Sequence, residues 1–243
     1  MSENILMIIE SVAFLAIGLV LGSAAVYVFN HLPGKWLCDY GQEPSEELLH
    51  PTTQRIKSTP WKFVFSGFFV VIGIKMGVEN PFYAIAAVCA IWLLLEMAIA
   101  DIKYMIVPDQ LIVMLIICGL GMIPQGTGSA TDILWDTLIG AAIGLGLTLI
   151  VALIGRIIYK KAAVGGADIK LFTALGLLTG VKGIIFIFVA STLVSAGHFA
   201  YLLLRKKATK YDERPMVPYI AGAAAFYMVI CRELLYNGFS IAL

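Results

Sequence analysis

ILWDTLIGAAIGLGLTLIVALIGRIIY, residues 133–159, decides the fold class. As a helix this apolar run exceeds the roughly twenty residues needed to cross about 30 Å of hydrocarbon. Comparable runs lie at 5–32, 62–78, 81–100, 110–123, 183–204 and 218–236, separated by turns rich in Gly, Pro, Asn and Asp. A shorter apolar run occupies 169–180. With 60% hydrophobic and 14% charged residues, the chain has too little polar surface to cover a soluble globule. The expectation is an all-α polytopic membrane protein of about eight helical segments, one of them short or re-entrant.

Charge sets the topology, because short cytoplasmic loops concentrate Lys and Arg. Three loops are basic: Lys35, Arg55 and Lys57; Lys160, Lys161 and Lys170; and Arg205, Lys206, Lys207, Lys210 and Arg214. The N-terminus, the turn at Glu79 and the turn at 126–132 carry neither Lys nor Arg. This pattern puts both termini outside the cytoplasm. The segment 5–31 is too long for a cleavable signal core and carries Glu3 and Glu10 at its start, so it reads as a retained first span. Small residues Gly22, Ser23, Ala24 and Ala25 suit it to close helix contact. Between the second and third basic loops the chain must cross an even number of times or re-enter. A helix at 169–180, a turn at 181–183 and a full return span satisfy that, and the short helix must be shielded by protein or line a wet cavity.

A net charge of +1 with dispersed basic residues gives no case for nucleic-acid binding. Cys89, Cys118 and Cys231 fall in apolar runs, Cys38 lies in a polar loop, and no CxxC pair exists. Neither a zinc site nor a disulfide framework is indicated.

The topology brings Asp101, at the end of the third span, and Asp168, at the start of the short helix, to one membrane boundary. Two neighbouring carboxylates in a low-dielectric site share a proton, which is the state aspartyl proteolysis requires. Gly165 and Gly166 would let the backbone approach the other carboxylate or an extended substrate closely. The bland alternatives are helix-boundary roles for both aspartates. Asp109, after Pro108, reads as a helix N-cap. Glu96, inside an apolar run, either tunes the pair or makes a structural hydrogen bond. Lys103 and Lys170 are interfacial anchors or bias the carboxylates. His198 reads as an interhelical hydrogen-bonding residue.

Two stretches in this order, DIKYMIVPD at 101–109 and GGADIKLFTALG at 165–176, resemble the type IV prepilin peptidases and their archaeal preflagellin relatives, GxGD-type aspartyl proteases of the membrane. Ala167 stands where many members have Gly, and 215–224 resembles the start of the family's last helix loosely. The resemblance implies Asp101 and Asp168 as catalytic residues, with Gly165, Gly166, Lys170, Glu96 and Asp109 in support. It implies cleavage of the leader from type IV prepilin or pseudopilin precursors at the cytoplasmic face of the plasma membrane, with no cofactor for proteolysis. Gly22, Ser23, Leu32 and Pro33 resemble the family's first-span signature, but Val26 and His31 replace its usual Asn and Arg. Many members carry two zinc-binding CxxC pairs in the first loop and methylate the product with S-adenosylmethionine. Here that loop has Cys38 alone, so no zinc is expected and methyl transfer stays open. The division expected is 1–60, first span and shortened loop, and 61–243, the embedded peptidase domain. The competing readings are a non-enzymatic transporter or pilus-assembly component with an acidic intramembrane path, and a presenilin-like protease, whose PAL tripeptide is absent.

Overall fold

The computed structural model describes residues 3–39, 41–49, 54–76, 81–122, 129–159, 165–209, 212 and 214–232. The expected turn at Glu79, the Gly126 end of the later turn, and Lys160 and Lys161 lie outside the described residues, as do Lys210 and the last run beyond 232. Among the described residues the fold is helical throughout: α1 Glu3–His31, α2 Glu46–Leu49, α3 Ser58–Met76, α4 Pro81–Tyr104, α5 Asp109–Met122, α6 Ala130–Tyr159, α7 Gly166–Leu204 and α8 Val217–Phe226. A π-helical turn, Tyr227–Cys231, prolongs α8. Five helices are long and apolar enough to cross a membrane, and α5 and α8 are shorter apolar helices. This is a multi-pass membrane architecture.

Helix α7 is a hairpin. Gly180 interrupts it with φ 66° and ψ −170°, a conformation open essentially only to glycine. Phe172 and Phe188, eight residues to either side, meet edge to face with ring centroids 5.5 Å apart. In a straight helix they would be about 24 Å apart. The reversal thus pivots at Gly180, one residue before the expected 181–183 turn. Asp136 of α6 explains the position: its carboxylate accepts the Val181 N–H at 3.3 Å, satisfying a donor freed by the break. The first limb, 166–179, rises only about 21 Å, so it is the short segment the sequence implies.

Glycines let the helices touch. A Cβ on Gly176 would run into the Gly140 carbonyl of α6, and one on Gly22 of α1 would run into the Ser66 backbone of α3. Without a hydrophobic drive between helices in lipid, such backbone approach supplies the packing energy. The α1–α3 contact uses the small-residue patch read from the sequence. Helix α4 is the most buried of the five long helices and is shared by both apolar clusters. Leu94 and Met97 pack in one with α5, α7 and α8; Ile99 and Ala100 pack in the other with α1 and α3.

The first loop is tied to the end of α1. Buried Arg55 donates to the carbonyls of Phe29 (3.2 Å), Leu32 (2.6 Å) and Leu48 (3.3 Å). A cation on unpaired carbonyls at a helix C-terminus is favourable electrostatically and as hydrogen bonding. Asn30 adds a two-way bond to the Ile56 backbone, at 2.8 and 3.1 Å. At the opposite end of the bundle Ser129 and Asp132 form a reciprocal cap at the start of α6.

Gly176→Val is expected to lower stability by about 1–3 kcal/mol through overpacking, while Gly67→Ala, where a Cβ meets nothing within 4 Å, leaves it nearly unchanged. Thermal unfolding in detergent micelles compares the two. Arg55→Lys is expected to cost about 2–3 kcal/mol in the same assay, since one ammonium cannot reproduce the guanidinium fork.

Candidate active site

Four helix ends converge where the sequence places its two aspartates. Helix α4 ends after Tyr104, with Met105 in the left-handed region at φ 56°. Such a residue closes a helix by turning the chain sharply out of its axis. Three residues later Pro108 precedes α5, which begins at Asp109. The DIKYMIVPD stretch is thus the reversal between α4 and α5, with Asp101 inside the last turn of the first helix.

Asp101 is 7% exposed, and its Oδ2 accepts the Val217 N–H at 2.9 Å. The Met216 backbone N–H lies near the same carboxylate. Both N–H groups belong to the start of α8, where Pro218 follows. The first N–H groups of a helix lack internal partners and point outward, so they make an anion site. Asp101 fills it from across the bundle, 116 residues away in sequence.

Asp168 occupies the first turn of α7, three residues after its N-cap Gly165. Its carboxylate turns back toward the backbone of that N-cap glycine. The charge of Asp101 acts on Asp168, so the two carboxyl groups lie within electrostatic range. Gly165 and Gly166 are exposed. A Cβ on Gly165 would meet only Asp168 Oδ2, at 3.5 Å, and one on Gly166 would meet nothing within 4 Å. Packing among the described residues therefore does not require glycine at either position.

The supporting residues divide. Asp109 is the first residue of α5 rather than its cap, and its carboxylate takes both bonds from Lys170 Nζ, at 2.8 and 2.9 Å. This ion pair joins α5 to α7 beside Asp168 without adding a third carboxylate to the pair. Glu96 is fully buried in α4, and neither carboxylate oxygen has a hydrogen-bond partner among the described residues, so the expected structural bond is not there. Lys103 Nζ donates to the Arg55 carbonyl, which links α4 to the first loop. His198 meets the Tyr219 hydroxyl between α7 and α8, the interhelical bond the sequence suggested. Cys38 Sγ turns to the Lys35 and Gln42 carbonyls, at 3.5 and 3.6 Å. Sequence reasoning missed the Val217 donor; Pro218 at a helix start was the available signal.

Comparison with known proteins points the same way. The chain is similar to the prepilin leader peptidase/N-methyltransferase of Bacillus subtilis (strain 168), with 30% identity over 165 residues, covering 67% of this chain and 62% of that one. It is similar to the protein of the same name from Xanthomonas campestris pv. campestris, 32% over 139 residues, covering 55% and 46%. The Aeromonas salmonicida (strain A449) protein of that name is 28% identical over 145 residues, covering 57% and 47%. The chain thus matches about half to three-fifths of the length of these relatives. No solved structure matches it. The model of the type IV leader peptidase family matches 87–200, a stretch that contains both Asp101 and Asp168. Through residues 87–200 the chain belongs to the type IV leader peptidase family.

Proposed function

We propose that this protein is a prepilin leader peptidase that cleaves type IV prepilin-like precursors with Asp101 and Asp168. One observation carries the reading: two carboxylates on separate helices converge within electrostatic range at four helix ends, Asp101 held there by the Val217 N–H. In the proposed mechanism the two carboxyl groups hold one proton between them. The ionised member takes a proton from water as its oxygen attacks the scissile carbonyl carbon. The protonated member donates to the carbonyl oxygen, giving a tetrahedral intermediate. When the C–N bond breaks, the proton first taken from water passes to the departing amine, and the hydroxyl oxygen remains in the new carboxyl group.

The bare backbone at Gly165 and Gly166 supports this reading. Glycines that no described residue demands leave room beside Asp168 for an extended peptide to approach. The precursor's apolar helix would stay in the bilayer while its scissile bond unwinds at the carboxylates. Arg55, Lys57, Lys103 and Lys170 lie toward this end of the bundle, so the reading places it at the cytoplasmic face of the plasma membrane. Peptide cleavage is independent of methyl transfer, which would show in the product as the added mass of one methyl group.

Coexpression with a prepilin, read on a gel, tests the assignment. Asp101→Asn and Asp168→Asn are each expected to slow processing by about 10²–10⁴-fold, and normal processing by either variant would overturn the pair. Asp109→Asn breaks a partly exposed ion pair worth up to about 1 kcal/mol and is expected to change the rate by roughly fivefold at most. Gly166→Leu is expected to leave thermal stability intact but slow cleavage about 10–100-fold, since misplacing a substrate by an ångström costs that much.

A further inference from the structure

Helices α3, α4 and α8 enclose an open trough of 810 Å³. Its walls are apolar, among them Trp61 and Phe65 of α3, Leu95 and Ile102 of α4, and Gly222 and Phe226 of α8. It runs along 61–72, 91–102 and 218–230 of the three helices, about 17–18 Å at the helical rise. That is close to the hydrocarbon depth of a single leaflet. Several walls face outward unmatched: Trp61 is 45% exposed, Ile102 59% and Phe226 50%.

Charge appears only at one end, and of one sign. Arg55, Lys57 and Lys103 line the trough there, with no acidic side chain among the described lining residues. Arg55 is committed to the end of α1. Lys57 and Lys103 are exposed, and Lys103 spends one of its three N–H donors on the Arg55 carbonyl. The charged end is also the Asp101 end, since Ile102 and Lys103 follow that residue directly.

We infer that this trough binds an anionic phospholipid, with an acyl chain along the three helices and the phosphate at Lys57 and Lys103. Two lysines at a membrane surface favour an anionic over a zwitterionic headgroup by about 30-fold. A polypeptide helix fits less well. A basic leader ahead of such a helix would meet two lysines. The lipid braces α3 against α4 and α8 beside the helix start that holds Asp101. The site does not depend on whether the carboxylate pair cleaves peptides.

Trp61 in the wall is the reporter. The full chain is placed in phosphatidylcholine nanodiscs with a minor fraction of lipid brominated on its acyl chains. The Trp61→Phe variant supplies the background from Trp36, Trp92 and Trp135. Brominated phosphatidylglycerol is expected to quench Trp61 well beyond the level of random mixing, and brominated phosphatidylcholine only to that level. In the Lys57→Gln/Lys103→Gln variant the two lipids are expected to quench alike. Equal quenching of the unmodified chain by both lipids would overturn the site. So would quenching that a prepilin transmembrane peptide displaces and added phosphatidylglycerol does not, which would assign the trough to a polypeptide.

Discussion

Hydrocarbon offers no hydrogen bonds, so each place where a helix breaks or ends within a bilayer must be satisfied by another part of the protein. Three such places organise this molecule. The start of α8 is met by Asp101 of α4, the Gly180 break in α7 by Asp136 of α6, and the end of α1 by Arg55 of the first loop. In each case the partner comes from a different element. The interruptions therefore lock helices together, and the glycine contacts between α6 and α7 and between α1 and α3 close the remaining faces.

At Asp101 the structural role and the proposed chemical one coincide. A carboxylate that accepts a backbone N–H is restrained in orientation, which a reactive group needs, and it also completes the helix it faces. Asp168 stands in the first turn of its own helix, turned toward the N-cap. A helix-capping account of these residues and a catalytic one are thus not exclusive. Glu96 makes the contrast: fully buried in α4, its carboxylate has no hydrogen-bond partner among the described residues.

The spans were legible because their apolar runs are long, and Asp101 and Asp168 were legible because local strings mark them. The short limb of α7 could also be inferred, since basic loops on either side demanded an even crossing. What stayed hidden depends on distant pairs. Nothing around Asp136 announces that it accepts a bond from Val181, 45 residues on. Arg55 looked like one more loop cation, yet it is buried on three carbonyls. Asp109 was misplaced by one position because a Pro–Asp pair fits both the cap and the first turn, and only Lys170 distinguishes its use.

The hairpin of α7 bears on how this segment is held in its membrane. A limb of about 21 Å is too short to cross an undeformed bilayer alone. Its place depends on the longer limb folded back against it and on Asp136 at the tip. Helix α6 and the two limbs are thus one mechanical unit, in which loosening the Asp136 bond would strand the Val181 N–H and free the short limb's tip.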